Sequence, residues 1–315
     1  MAKLYIIGNG FDIAHGMETS YGNFRKWLDK QKGEAARSLL WAFDQMGYHC
    51  STGDIWSSVE EQLGKIDIEE ILLEIVSEHE TDANEGSDIG KIQAAANAWM
   101  RIYEEKGLSK VSDLFKEWIC SVELAVEKVP QYEELTTQNI YLTFNYTDTL
   151  EELYSIPSSQ IVHIHGDIKN KGTDLVFGHG KKYNLNHCQE LGDLYLWGDV
   201  DGAVRDYGEA LNTLYKDTSA IYEDNIGWFD SLTQKSIDNI YVLGCSLGEV
   251  DDKYFQEIST RLSNVNWHFA LYVDRDWQRR LQNEESIRRF IKRMHLKKEQ
   301  CLVFDSENPE KVITL

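Results

Sequence analysis

Four short segments carry residue types that do chemistry, and each follows an apolar run. Gly8-Asn9-Gly10-Phe11-Asp12 follows Leu4–Ile7. Asn145-Tyr146-Thr147-Asp148 follows Tyr141–Phe144, His165-Gly166-Asp167 follows Ile161–Ile164, and Gly244-Cys245-Ser246 follows Ile240–Leu243. Glycines at such a break let the backbone come close to a phosphate or ribose, where a side chain would collide. A neutral histidine draws a proton from a hydroxyl or water near neutral pH, and an asparagine places the nucleophile. No one segment decides, because a glycine pair after a strand serves equally as a tight turn. The set is far more specific. In an open parallel sheet ligands bind beyond the carboxyl ends of the strands, so four such ends could share one crevice.

The elements that must position these segments are legible in outline. Strands are expected at 4–7, 140–144, 161–164, 174–177, 239–243 and 267–273, with a further one at 300–304. Helical pattern fills the long gap between the first two and returns over about 188–235. Strands alternating with helices indicate a parallel α/β sheet of Rossmann-like type with large helical insertions. The expected organisation is a core from 1–16 and 136–315, carrying the insertion at 188–235, and a helical lobe from 17–135. Trp27, Trp41, Trp56, Trp99 and Trp118 in that lobe read as core filling. Residues 81–91 read as an exposed loop.

Composition narrows the function. The chain has 315 residues, 42% of them hydrophobic, which suits a globular core. No apolar stretch approaches the roughly 20 residues of a membrane span, and no charged-then-apolar leader opens the chain, so a cytoplasmic protein is expected. Lys plus Arg total 32 against 53 Asp plus Glu, a formal charge of −21, which repels nucleic acid unless basic residues cluster. They cluster once, from Arg275 to Lys298, where interleaved acids favour a solvated helix face over a contact for a partner. The five cysteines are widely spaced without a CxxC pair, so neither a disulfide framework nor a cysteine-bound metal is expected.

The runs Ile-Ile-Gly-Asn-Gly-Phe-Asp-Ile-Ala-His-Gly at 6–16, Phe-Asn-Tyr-Thr-Asp-Thr-Leu-Glu at 144–151, His-Ile-His-Gly at 163–166 and Leu-Gly-Cys-Ser-Leu-Gly-Glu-Val-Asp-Asp at 243–252 resemble the AbiH family of bacteriophage abortive-infection proteins. Their order is also similar to the sirtuin-like fold, in which such segments surround NAD. The resemblance implies an NAD or related nucleotide ligand, with Gly8, Asn9, Gly10, Phe11 and Asp12 in the loop facing the pyrophosphate. It implies that Asn145 is the catalytic asparagine and His165 the catalytic base. Gly166, Gly244, Ser246 and Asp251 would complete the nucleotide site. The paired CxxC zinc site of sirtuin deacetylases is missing from the sequence, so the implied chemistry is hydrolysis of an N-glycosidic bond. That reaction passes through an oxocarbenium-like state, as glycoside hydrolysis does, and neutral nicotinamide leaves without a strong general acid.

Each residue also has a plainer reading. His165 reads equally as a satisfied core histidine, with His163 its rival as base. Asn145 and Asp12 read as helix caps. His179 lies between two glycines, bordering the same pocket or sitting in a turn. Asp12 raises a specific question, since a carboxylate beside a diphosphate repels it unless paired or turned away. Two further functions stay open: a nucleotide-sensing module that binds without cleaving and regulates a partner toxin, and a nucleic-acid-directed enzyme. A nucleotide ligand, with a protein partner or a second copy of the chain, is expected in place of membrane or nucleic acid.

Overall fold

The computed structural model describes residues 2–48, 56, 58–80, 89–106, 108–125, 127–170, 174–196, 202–273 and 277–314. The chain forms two compact units. Unit 1 comprises Met1–Ser20, Ile119–Val176 and Asp217–Leu315, and unit 2 comprises Tyr21–Trp118 and Phe177–Lys216.

Unit 1 is built on a seven-stranded sheet: β1 (Ala2–Ile7), β2 (Ile140–Thr143), β3 (Ile161–His163), β4 (Ile237–Leu243), β5 (Asn266–Leu271), β6 (Cys301–Asp305) and β7 (Asn308–Ile313). The spatial order is β3-β2-β1-β4-β5-β6-β7. Every neighbouring pair is parallel except β6 with β7. The chain builds outward from β1 in both directions, so the topological switch point lies at β1, where open α/β sheets hold ligands.

From Leu4 to Ile7, β1 is apolar and buried because both its faces are covered there. Leu4 and Ile6 join a core with Leu142, Val242 and Phe269. That core packs on the helices Asp252–Arg261 and Trp277–Arg293 through Phe255, Ile258, Ile287 and Phe290. Tyr5 and Ile7 point the other way, into a second core with Phe11, Tyr132, Tyr141 and Tyr154. Tyr5 stacks between Tyr141 and Tyr241, at centroid distances of 5.5 and 5.1 Å.

Two expectations need correction. Residues 174–177 form no ladder. The Val176 amide donates to the carbonyl of His165 at 2.8 Å, and the Tyr146 hydroxyl to the carbonyl of Val176, so the segment is tied to loops and not to a strand. Conversely, β7 is a strand beyond those expected from the sequence. Its residues are almost all exposed, so no buried apolar signal marks it.

Unit 2 is helical. Its helices include Tyr21–Lys30, Ile68–Glu80, Ile89–Lys106, Leu185–Tyr195 and Ala203–Asn212. Phe24 collects Trp118 at 5.0 Å and Phe115 at 5.6 Å, with Trp56 beyond, so these aromatics are core. The side chains of Trp41 and Trp99 lie outside the described residues, as do 81–88, while 89–91 open a helix and not a loop. The helices Thr218–Asp224 and Ile226–Ser231, expected within one insertion, belong to unit 1. No helix among the described residues is long and apolar enough to cross a membrane.

The ends of β1 and β4 mesh backbone on backbone. A Cβ on Gly8 would stand 2.8 Å from the Cα of Cys245, and one on Gly10 2.8 Å from the Cα of Gly244. Gly244 has φ +66°, and its Cβ would meet the Phe11 nitrogen at 2.3 Å. Gly244→Ala therefore adds a backbone clash to a left-handed conformation and is expected to destabilise unit 1 by about 2–4 kcal/mol. Gly248→Ala, at φ −65° with only Ser246 Oγ near at 3.8 Å, should change stability by about 0.5 kcal/mol or less. Urea unfolding midpoints read both, and equal effects would contradict the mesh.

Candidate functional site

All four chemistry-bearing segments leave the same edge of the sheet, because β1, β2, β3 and β4 run parallel. Four contacts then join them in a closed circuit.

The first joins the β1 and β2 loops through Asp12. It lies within α1 (Gly10–Ala14), 1% exposed, and caps nothing. Its carboxylate accepts hydrogen bonds from the Thr147 hydroxyl at 2.6 Å and the Thr149 hydroxyl at 2.9 Å. Burial pushes its pKa up to about 6, with the bonds from Thr147, Thr149 and Asn145 holding it lower than burial alone would. These hydroxyls hold the carboxylate but bring no opposite charge to it, so they do not offset its repulsion of a diphosphate. Thr147 and Thr149 escaped the sequence reading; the signal was two hydroxyls flanking Asp148 immediately beyond a buried strand.

The second joins the β2 and β3 loops. The Asn145 carbonyl accepts from His163 Nδ1 at 3.0 Å, and His163 Nε2 donates to Glu151 at 3.1 Å. Glu151 lies in α2 (Thr149–Tyr154). Both partners are acceptors, so both ring nitrogens carry protons and the pair is ionic. Burial opposes that charge. Glu151, the Asn145 carbonyl and Asp167 outweigh it and hold the His163 pKa above the ordinary value. Asn145 is 7% exposed and caps no helix; the residue at the start of α2 is Asp148. Its Oδ1 is buried without a hydrogen-bond partner in the protein.

The third joins the β3 and β4 loops. His165 Nε2 lies 3.2 Å from Asp251 Oδ1, within ion-pair distance but off hydrogen-bond alignment. Strands β3 and β4 are separated by β2 and β1, roughly 14 Å at the usual strand spacing, so the two loops reach toward each other over the sheet edge. The His165 ring is held 5.3 Å from Phe144 and 5.9 Å from Tyr254. Gly166 follows at φ +92°, a turn a side chain would obstruct at Asp174. Asp251 was expected at the nucleotide; it lies against the imidazole. The fourth contact is the mesh of Gly8 and Gly10 with Gly244 and Cys245.

The remaining site residues are placed as follows. Phe11 is fully buried, its ring 4.5 Å from His15 and 4.9 Å from Tyr132. Asn9 Nδ2 pins the loop by donating to the Thr19 carbonyl at 2.8 Å. Ser246 is exposed. The next residue, Leu247, has φ +58°. Arg293 holds that turn by donating to the Leu247 carbonyl and to Asp252, each at 2.8 Å. Arg293 thus leaves the solvated basic face to which the sequence assigned it. On that face Arg280 pairs with Glu284 at 3.0 Å, while Arg275 lies outside the described residues. Burial pushes the Cys245 thiol up, which suits packing and not nucleophilic attack. His179 lies in unit 2, where its Nε2 donates to the Leu211 carbonyl at 3.0 Å.

These residues fit one part of a dinucleotide and not another. A buried acceptor without a partner, a histidine beside a carboxylate and an exposed serine suit a ribosyl group. At Gly8, Gly10 and Phe11 the backbone donors that a diphosphate would need are taken within the protein. The Gly8 amide donates to Leu243, that of Gly10 to Gly244 and that of Phe11 to Gly8, each at 2.9 Å. The space beside both glycines is filled by the facing loop. Among the described residues no group of three or more His, Cys, Asp or Glu side chains could hold a metal ion.

The family described as "Bacteriophage abortive infection AbiH" matches residues 4–271. That span takes in all four segments and five strands of the sheet. No curated protein and no solved structure matches the chain.

The raised Asp12 pKa fixes a pH dependence. Below about pH 4 Asp12 is protonated in both folded and unfolded chains. Between about 4 and 6 the unfolded chain releases its proton first, so the contribution of protonated Asp12 to stability is lost as pH rises through the folded value. Asp12→Asn has no proton to lose. The stability of wild type relative to Asp12→Asn should fall by about 2–3 kcal/mol between pH 4 and pH 7. Urea unfolding at the two pH values measures this, and an unchanged gap would contradict it.

Proposed function

The chain belongs to the AbiH family of phage abortive-infection proteins, and from that premise we propose that it acts by binding NAD or a related nucleotide and hydrolysing its N-glycosidic bond. The observation that carries the reading is the His165–Asp251 pair together with the partnerless Oδ1 of Asn145, both on loops that leave the carboxyl edge of the strands around the switch point.

Each residue has a role that its surroundings support. His163 has both ring nitrogens donating, so it has no lone pair with which to accept a proton. His165 retains that capacity, with Asp251 alongside to orient the imidazole and stabilise its protonated form. Asn145 is fixed through its backbone, its amide donating to Thr143 Oγ1 at 3.0 Å and its carbonyl accepting from His163. Its Oδ1 is left to accept a hydrogen bond from a ribose hydroxyl or from the attacking water. Water adds to C1′ as the C1′–N bond breaks. The bonding pair goes to the pyridinium nitrogen, giving neutral nicotinamide, and the proton of the water goes to His165.

Nicotinamide release from NAD by purified protein tests this. His165→Ala and Asn145→Ala should each lose about a hundredfold or more, as removal of a general base or a positioning group does. Circular dichroism should remain that of the wild type. His163→Ala should be milder, since it removes a support and not a reacting group. Full activity in His165→Ala with loss in His163→Ala would move the base to the other histidine. Wild-type protein inert to NAD, with no thermal shift, would overturn the reading and leave a likeness of fold alone.

A further inference from the structure

We propose that this edge of the sheet recognises a cationic N-ribosyl group, the pyridinium riboside end of its ligand, and takes no anchorage from a diphosphate. This rests on the reading that an N-glycosidic bond is cleaved here, and it names the class of group that the site selects.

Two independent observations carry it. The first is charge. Residues 8–16, 144–152, 163–168 and 244–252 contain no Lys or Arg, while carboxylates come from every loop, among them Asp12, Asp148, Glu151, Asp167 and Asp251. The cations that pair with this edge are fewer: His163 with Glu151, Lys169 just past the β3 loop window, and Arg293 from a distant helix. Lys169 reaches Asp148 at 2.6 Å and also Glu152, and Arg293 is committed to Asp252 and the Leu247 carbonyl. Asp252 itself has its pKa raised, by burial and by Glu249 and Asp251 against the opposing pull of Arg293. A field of that sign draws in a cation and repels a dianion. The nitrogen-linked pyridinium of an oxidised nicotinamide riboside is such a cation, and its ribosyl carbon becomes more positive still in an oxocarbenium-like transition state.

The second observation is the donor inventory. Diphosphates are held at strand ends by free loop amides and by the space that glycines leave. Here the amides of Gly8, Gly10 and Phe11 are already donated within the protein, and the glycine space holds the facing loop. Among the buried side-chain atoms that the site leaves open is an acceptor. Asn145 Oδ1 is buried in a side chain that is 7% exposed, and it has no partner in the protein. An acceptor pairs with hydroxyl or amide hydrogens, which a riboside carries and a diphosphate does not.

The test uses the full chain and four probes: nicotinamide riboside, its uncharged dihydro form, NAD and ADP. Nicotinamide riboside is expected to raise the melting temperature and to release nicotinamide with kcat/KM within tenfold of that for NAD. The dihydro form should bind at least tenfold more weakly than the oxidised riboside. ADP should neither bind nor compete at concentrations that saturate with the riboside. Cleavage of NAD with competition by ADP and no binding of the riboside would overturn this inference while leaving N-glycoside hydrolysis intact. Equal binding of the oxidised and dihydro forms would overturn the role of charge. Failure of both NAD and the riboside to bind would overturn this inference and the hydrolase reading together.

Discussion

Backbone packs on backbone where β1 and β4 end, and the rest of the site depends on that contact. Gly8, Gly10 and Gly244 lie so close that a Cβ on any of them would enter the facing loop. The mesh sets the height of the β1 loop over the switch point. From there α1 carries Asp12 down to Thr147 and Thr149, which fixes the β2 loop. The β2 loop carries the Asn145 carbonyl to His163, and two residues later the chain carries His165 to Asp251. Asp251 lies seven residues beyond Gly244, so the circuit closes on the loop where it began.

A closed circuit of this kind gives rigidity without a ligand. Three of the four links use buried polar groups, and a buried polar group is costly unless it is paired. Asp12 and the Asn145 backbone are held in this way by their neighbours. Asn145 Oδ1 is among the buried atoms left without a hydrogen bond against that background. Ser246, by contrast, sits on a turn that needs an outside brace. Leu247 adopts a positive φ, and Arg293 from the helix Trp277–Arg293 holds its carbonyl. The C-terminal basic segment is thereby connected to the site through one arginine, while Arg280 and Glu284 stay on its solvent side.

The sequence made the sheet legible where strands are buried on both faces. Leu4–Ile7, Tyr141–Thr143 and Ile240–Leu243 read as continuous apolar runs because no solvent face interrupts them. Residues 174–177 mislead by the same rule, since Leu175-Val176-Phe177 is apolar but bonds to a loop. β7 is invisible by it, having almost no buried side chain. The glycines announced a close approach correctly, and the protein's own backbone is a partner in it. Asp251 and His165 were each noticed, yet their pairing spans 86 positions of sequence and two intervening strands. Only the strand order brings them together. His163 and His165 share a motif, and which one is spent on a structural pair depends on Glu151, a residue that reads as ordinary helix surface.

The central claim is that His165, and not another histidine, receives the proton at a site where a cationic riboside binds. Nitrogen-detected NMR of the imidazole rings, assigned with His165→Gln and His163→Gln, tests it directly. A non-hydrolysable carbocyclic analogue of nicotinamide riboside, added to the wild-type protein, is predicted to shift the His165 ring resonances and leave His163 doubly protonated and unmoved. Saturating analogue that leaves the His165 ring unchanged, or that shifts only His163, would contradict the account.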